Sequence, residues 1–509
     1  MATANESVPR DILIVGAGVF GLSTALSLLS RPAYDASRIT IIDSALVLPN
    51  PVGSSVDASR IIRADYASIH YAKLACLAQE HWRDQTPSGW GGEGRYSETG
   101  FVLTGDKGQE AYVSSAMHNV QDLARAGLPM DISKIQELKN REEIRKAAGL
   151  PGVSGDTGYA NWNSGWADAE KSVAHTIQRI QTHSNAKDRI SIKPGYEVAR
   201  LIFSPDSGQC TGVTCKDGTS FTADLTILAT GAWTPSLFNL QNRCLATGQV
   251  IAYLELTQEE QNYLENTPVV INFAKGTFVI PPQRGELKVA RHGFGYRNPI
   301  TVEHPSTKSN AERLSKHGVS VPRTDTNIPV EAEVALRDAL AELFPPNVDP
   351  ASLPPGCPTS LSTVSTRPFT NTRLCWYTDT PTGDFLIDWA PLPASKNSKN
   401  TSLFLATGGS GHGFKFLPVL GDYIVDAVEG RLDPVYRKLW AWPSNEKLEK
   451  EFGLAESGQE AIDVVSGTSK ELHAFHECKD GSRGGPKGMI LGEELKKGTA
   501  AVKPLQAKL

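Results

Sequence analysis

The sequence predicts a mixed α/β and α+β fold: a doubly wound, Rossmann-like nucleotide domain whose segments are interleaved with a domain built on an antiparallel sheet. Three observations point that way. From Asp11 the chain reads DILIVGAGVFGLSTALSLL, an apolar run, a Gly-rich turn, then Leu22, Ala25, Leu26 and Leu29 at helical spacing. A second apolar run, Arg38 to Asp43, ends in an acid 22 residues after Gly21 and completes a strand-helix-strand unit. Farther on, ADLTILAT (223–230) runs straight into Gly231-Ala232-Trp233, and VIAYLEL, FVIPP and ELKVA follow with the pattern of an antiparallel sheet.

The other elements follow in chain order. A polar, turn-rich stretch from Asn50 to Ser59 leads into RIIRADYA and a helix from about His70 to Trp82. Residues 96–157 mix short strands such as GFVLTG with a charged helix near Lys134 to Ala147. A Pro-rich loop, Phe344 to Pro358, precedes CWYTDTPTGDFLIDWAP. The strand Ser402 to Thr407 then meets GGSGHGF and a helix from about Lys415 to Val428. Past Pro443 the composition turns to Glu, Lys, Gly and Ser and reads as an extension or flexible tail. The expected division is nucleotide-domain segments at 1–95, 158–241 and 375–445, substrate-domain segments at 96–157 and 242–374, and a C-terminal extension at 446–509.

With 509 residues the chain exceeds one ordinary core. Its 51 basic and 56 acidic residues leave a net charge of −5, which offers no polycationic surface, so nucleic acid is not an expected partner. Seven scattered cysteines without a CxxC pair make neither a disulfide framework nor a zinc ribbon. His473, His476 and Cys478 lack a second Cys pair, and no metal is expected. Ile12 to Leu29 is uncharged, but three glycines with Ser23 and Thr24 argue against a membrane span, and no secretory cleavage site follows. The expected location is therefore inside the cell. Ala507-Lys508-Leu509 varies conservatively from the Ser-Lys-Leu peroxisomal address, so the import receptor is an expected partner and the peroxisome the expected location, otherwise the cytoplasm.

Gly16, Gly18 and Gly21 fit G-x-G-x-x-G, whose glycines give a tight turn, close approach of backbone to a pyrophosphate, and helix packing on the strand. The helix N-terminus adds N–H groups and a positive dipole end. Asp43 is placed to accept hydrogen bonds from ribose hydroxyls and disfavours a 2′-phosphate. The N-terminal fingerprint with the later Ala229-Thr230-Gly231 return favours FAD over NAD.

DILIVGAGVFGLSTA, GSSVDASRIIRADY, LATGAW, ELKVARHGFG, CWYTDTPTGDFLID and GGSGHGFKF together resemble, in order and approximate spacing, the monomeric sarcosine oxidase family of flavoproteins. That family includes N-methyltryptophan oxidase and the fungal saccharopine, pipecolate and fructosyl-amino-acid (amadoriase-like) oxidases. The resemblance covers about residues 8 to 440 and implies a D-amino-acid-oxidase-like fold. It also implies an oxidase of a secondary amine beside a carboxylate, with electrons passing to FAD and then to dioxygen, which leaves as hydrogen peroxide. A monomer is expected.

Residue by residue, the resemblance puts Gly16, Gly18, Val19, Phe20, Gly21, Asp43, Ser44, Ser59, Gly231, Trp233, Asp388, Gly409, Gly411, His412, Gly413 and Phe414 around FAD. Asp388 has the alternative of being a buried partner within its own block. Cys375 matches the cysteine that bonds covalently to the flavin, a link that holds the ring and raises its electron affinity. Lys288 matches the lysine above the ring, where a fixed cation lowers the barrier to forming an anion from oxygen. His292 matches an active-site histidine. Arg63 and Lys415 match the clamp on the substrate carboxylate, and Arg60 an arginine nearer the ring. GGSGHG (408–413) brings bare N–H groups and a helix N-terminus to the flavin.

Two features narrow the substrate. Ser55 and Val56 stand where sarcosine-oxidising members carry His, which sets this chain apart from an unmodified sarcosine site. Arg60 followed by RADY is closer to the saccharopine and pipecolate branch than to the fructosyl branch, which usually has lysine at position 60. Fructosyl amino acid oxidation, an iminium-forming step in secondary metabolism, and an FAD dehydrogenase with a carrier acceptor remain as alternatives.

Overall fold

The computed structural model describes residues 8–304, 315–392, 401–453 and 476–502. Its first layer is a six-stranded sheet in the order Leu386–Trp389, Leu403–Thr407, Leu225–Leu228, Asp11–Val15, Arg38–Asp43, Ile190–Pro194. The last five run parallel, and the Leu386–Trp389 edge strand runs antiparallel to its neighbour. Helices cover both faces of a parallel sheet, so its inner strands read as unbroken apolar runs such as Asp11–Val15 instead of alternating.

The helix Val19–Ser30 lies on this sheet, and Gly21 lets it sit down: a Cβ there would fall 1.9 Å from the Gly16 carbonyl oxygen. Its outer side packs on the helix Leu420–Val428, where the Ser23 hydroxyl donates to the Leu417 carbonyl at 2.9 Å and accepts from the Gly421 N–H at 2.6 Å.

The second large sheet has eight strands, in the order Asn371–Asp379, Leu245–Glu255, Glu286–Arg291, Thr277–Gln283, Val269–Asn272, Phe101–Gly105, Thr157–Asn161, Ile135–Leu138. All neighbours are antiparallel except Val269–Asn272 and Phe101–Gly105. The predicted VIAYLEL, FVIPP and ELKVA runs are three of these strands. Pro281 and Pro282 have no N–H to donate, and the ladder slips register between Ile280 and Gln283.

Four expectations need correction. The charged helix near Lys134 to Ala147 is a strand, Ile135–Leu138, followed by a helix confined to Arg141–Ala148. Asn140 starts that helix, accepting from the Glu143 N–H, and a cap cannot also lie inside the helix it begins. The helix expected from Lys415 is a single 3₁₀ turn, Phe414–Phe416, and the α-helix begins at Leu420. Pro418 removes the N–H that a continuous helix would need there. The boundaries expected at 157/158 and 374/375 each fall inside a strand of the eight-stranded sheet, so the chain changes sheet only beyond Asn161 and Asp379. Residues 476–502, expected as tail, pack into the body: His476, Cys478, Ser482, Arg483 and Leu491 are buried.

The tripeptide 507–509 and His473 lie outside the described residues. Among the described residues no helix is long and apolar enough to cross a membrane, and no cluster of His, Cys, Asp and Glu could hold a metal.

Replacing Gly421 by Ala puts a Cβ 1.9 Å from the Ser23 carbonyl oxygen and forces the two helices apart. A stability loss of about 2 kcal/mol is expected, read as a lower melting temperature; an unchanged melt would show that the helices approach less closely.

Candidate active site

The parallel strands end where the two sheets meet, and the Gly-rich turn lies at that edge. Gly16 adopts φ 109°, and a Cβ on it would meet the Ala229 carbonyl oxygen at 2.5 Å, so the turn is pinned against the ATG segment. Asp43, at the end of the next strand, accepts from Ala17 N at 2.8 Å, Ala45 N at 3.0 Å and Asn50 Nδ2 at 2.8 Å. Two of these bonds fall on Oδ1 and one on Oδ2, which leaves Oδ2 a lone pair for a ribose hydroxyl.

Two hollows open from this edge. The outer, of about 470 Å³, is lined by Gly16, Gly18, Asp43, Ser44, Gly231 and Trp233. The inner is lined by Gly18, Val19, Phe20, Ser59, Arg60, Arg63, Gly231, Lys288, His292, Tyr377, Gly409, Gly411, His412, Gly413, Phe414 and Lys415. Both share Gly18, Ser54, Ser55, Ala229 and Gly231, so they form one trough. Where it narrows, Cβ atoms on Gly409 and Gly413 would come within 3.2 Å and 3.0 Å of the Phe20 ring. A trough running from a carboxylate, past a glycine cradle, to a cationic chamber fits an adenine dinucleotide carrying a redox ring: Asp43 for the ribose, the glycine turn for the diphosphate, and the 409–413 backbone for the ring.

Beside the inner chamber lies a buried charge cluster. Lys288 stands on the strand Glu286–Arg291 between Tyr253 and Ile280 of the neighbouring strands. Its Nζ donates to Asp57 Oδ2 at 2.7 Å and to the Ser59 carbonyl at 2.8 Å. Arg60 and the Tyr253 hydroxyl also donate to Asp57, and Arg60 Nη2 reaches the Ser54 carbonyl at 2.8 Å and Cys375 Sγ at 3.3 Å. The two sides of this cluster titrate unequally. Burial works against the Asp57 carboxylate, but Arg60 and Lys288 outweigh it and hold its pKa below the ordinary value. For Lys288 burial wins, aided by Arg60 against the help of Asp57, and the ammonium is lowered to about 8. Cys375 is buried and shares a strand face with Tyr377, which lines the chamber.

At the far wall are two more buried cations. The Arg63 guanidinium lies 4.7 Å from the Tyr66 ring centroid, 5.5 Å from Phe101 and 5.3 Å from Phe273, and its Nη1 has no hydrogen-bond partner among the described residues. Lys415 Nζ donates to the Tyr66 hydroxyl at 2.8 Å and the His412 carbonyl at 2.9 Å. His412 must donate from Nε2 to the Gly383 carbonyl at 2.8 Å, so Nδ1 accepts from Tyr66 at 3.1 Å. Burial first, then the Arg63 charge, pushes the Lys415 pKa well below its usual value.

Every residue expected in the site lines one of the two hollows except Gly21, Cys375 and Asp388: Gly21 packs its helix on the turn, and Cys375 meets the chamber through Arg60. The Asp388 carboxylate is half-buried, lines neither hollow, and accepts from the Trp389 and Trp442 N–H groups. His292 follows the end of its strand, lines the chamber, and meets Ser482 and Arg483. Sequence reasoning missed Asp57, Tyr66, Tyr253, Tyr377, Ser482 and Arg483. Asp57 had a signal, since a lysine with apolar neighbours in a strand needs a buried counter-charge.

Asp57→Asn leaves Lys288 and Arg60 without their anion, and a loss of about 3 kcal/mol is expected in a denaturant melt. Because the folded pKa of Asp57 lies below its ordinary 3.8, its contribution is present above that pH and fades as pH falls further. The gap between wild type and variant is expected to stay level from neutrality to about pH 5 and to narrow below about pH 4.

Comparisons with known proteins agree with this site. The profile of the DAO family, FAD dependent oxidoreductases, matches residues 11–427. The amino acid oxidase imqH of Aspergillus flavus is 33% identical over 496 residues, covering 87% of this chain and 99% of that protein. L-saccharopine oxidase of Schizosaccharomyces pombe is 28% identical over 453 residues, covering 86% and 94%. The crystal structure of fructosamine oxidase (Amadoriase II) from Aspergillus fumigatus superposes with TM-score 0.67 at 26% identity, covering 94% and 95% of the two chains. With the trough, the glycine turn and the profile in register over most of its length, the chain belongs to the DAO family of FAD dependent oxidoreductases.

Proposed function

We propose that this protein oxidises a secondary amine of an amino acid, N-alkylated or cyclic, and releases hydrogen peroxide. One observation carries the reading: Arg63 and Lys415 face one chamber as buried cations; among the described residues neither is hydrogen-bonded to a carboxylate, and Arg63 Nη1 has no partner. Two buried cations with no carboxylate hydrogen-bonded to either call for an anion, and a substrate carboxylate between a guanidinium fork and an ammonium meets that demand.

FAD, when bound, supplies the two-electron acceptor for the substrate C–H bond and passes the electrons to dioxygen. The residues of the chain do the remainder. Arg63 and Lys415 fix the acid and so aim the carbon that loses its hydrogen. The nitrogen lone pair closes the C=N bond as the hydride equivalent leaves, and water then splits the imine into an amine and a carbonyl compound. Lys288 places a positive charge where dioxygen becomes an anion in poorly solvated space. Arg60 brings its guanidinium to 3.3 Å from Cys375 Sγ, the sulfur that would carry a covalent flavin link. Similarity to the amadoriases supports a second reading, fructosyl amino acids as substrates.

A panel of N-methyl, N-carboxyalkyl, cyclic and fructosyl amino acids, assayed for peroxide with purified yellow protein, tests this function. Peroxide from the first three classes is expected, and none from any class would overturn the reading. In stopped-flow measurements Lys288→Met is expected to slow the oxygen half-reaction far more than the amine half-reaction. In wild type the oxygen step is expected to slow as pH rises through about 8, where Lys288 loses its charge. Cys375→Ala is expected to release the flavin on acid precipitation, and flavin still bound to the polypeptide would point to another anchor.

A further inference from the structure

We propose that residues 480–483 complete the catalytic apparatus, with Arg483 and Ser482 acting as positioning residues that hold His292 as the Nε2–H tautomer. Its Nδ1 lone pair then stays on the Tyr377 side of the chamber. The inference follows from counting hydrogens around the ring. Asp480 takes the Ser482 hydroxyl proton at 2.7 Å on Oδ2 and the Ser482 N–H at 2.9 Å on Oδ1. With its proton committed, Ser482 Oγ can only accept from His292 Nε2, 3.1 Å away. On the other side, Arg483 Nη1 lies 3.4 Å from Nδ1, and a guanidinium has no lone pair to offer, so Nδ1 must be the acceptor. The Tyr377 hydroxyl stands 3.5 Å from the same nitrogen.

Arg483 is itself immobilised. Nη2 donates to Asp379 Oδ1 at 2.7 Å and to the Ser410 carbonyl at 2.8 Å, the guanidinium lies 5.3 Å from the Tyr377 ring centroid, and the side chain is 1% exposed. The backbone beside it is fixed as well: Gly484 N donates to the His292 carbonyl at 3.3 Å, and a Cβ on Gly484 would lie 2.2 Å from the Lys275 carbonyl carbon. A segment with no room for a side chain at its contact point, tied to both strands, backs the chamber wall that His292 and Tyr377 form.

Charges around His292 act in the same direction. Arg483 and Asp480 face it from this segment, Tyr377 and Asp379 from the strand Asn371–Asp379, Arg63 from the loop after Ile62, and His412 with Lys415 from the glycine loop. Lys288 precedes it on its own strand. Burial first and the Arg483 charge second, with Arg63, His412 and Lys415 behind them, press the ring's pKa well below 6.5. A neutral histidine here has one ring lone pair, on Nδ1, and shares it between Arg483 and the Tyr377 side of the chamber.

What that lone pair does in turnover rests on the amine-oxidase reading; the state of the ring does not. The holoenzyme labelled with ¹⁵N-imidazole histidine, with the His292 signal identified by its loss in His292→Gln, reads the ring directly and needs no substrate. Wild type is expected to show a neutral ring protonated on Nε2, unchanged from about pH 8 to about pH 5.5. Arg483→Met is expected to titrate within that range, whereas Arg483→Lys, which keeps the charge, is expected to stay neutral. Ser482→Ala, which leaves the Arg483–Asp379 pair intact, is expected to speed exchange of the Nε2 proton; it serves if Arg483→Met fails to fold. A wild-type ring protonated on Nδ1 or charged near neutrality would overturn the proposal, as would an Arg483→Met ring that behaves like wild type, or Ser482→Ala exchange at the wild-type rate. Where turnover is available, Arg483→Met is expected to add an acid limb to the kcat/KM profile, and an unchanged profile would remove the catalytic consequence alone.

Discussion

The structure depends on burying, around one chamber, more positive charge than the carboxylates among the described residues answer by direct contact. Asp57 gathers Lys288, Arg60 and Tyr253 at one side of the chamber, while Arg63 and Lys415 stand opposite with aromatic rings, a hydroxyl and carbonyl dipoles for company. Removing ions from water costs several kcal/mol each, so such an arrangement persists only where the surrounding packing enforces it. The two large sheets supply that enforcement: Lys288 is fixed in the middle of an eight-stranded sheet, and Lys415 in a 3₁₀ turn just beyond the strand Leu403–Thr407. The chamber is therefore lined by positive charge that the fold itself holds in place.

Aromatic residues make this tolerable. Tyr66 accepts from Lys415 and passes its own proton to His412, whose Nε2 ends the chain on the Gly383 carbonyl. A hydroxyl between two basic groups relays polarity without adding charge, and the chain of donors rigidifies the glycine loop from one side. The same loop has almost no side chains on its inner surface, so it forms a smooth cradle while its backbone is held from behind.

Much of this was legible in the sequence because local patterns fix local structure. The fingerprint at 16–21 with Asp43, and the runs at 223–230 and 286–291, follow from hydrophobic period and glycine spacing alone. Lys288 is an interruption in such a run, and Arg63 and Lys415 were found by resemblance to a family. What stayed hidden depends on contacts between distant segments. Tyr253 is an ordinary strand residue until Asp57 is placed beneath it, across 196 positions of sequence. Arg483 lies in a polar stretch whose composition predicts a tail, and only the sealed contact of Gly484 with Lys275 reveals that it is interior. Asp388 erred in the opposite sense, because its position beside a conspicuous motif says nothing about which way its carboxylate turns.

The location of Arg483 also has a temporal meaning. Strands of the nucleotide sheet come from residues 11 to 407, and the segment behind His292 comes from residues near 480, so it leaves the ribosome after them. Domains assemble as their segments emerge, so the sheets can form while synthesis continues, whereas the histidine's surroundings stay open until the later segment is made. A chain whose synthesis has passed the sheets but not this segment thus holds His292 without the groups that set its proton.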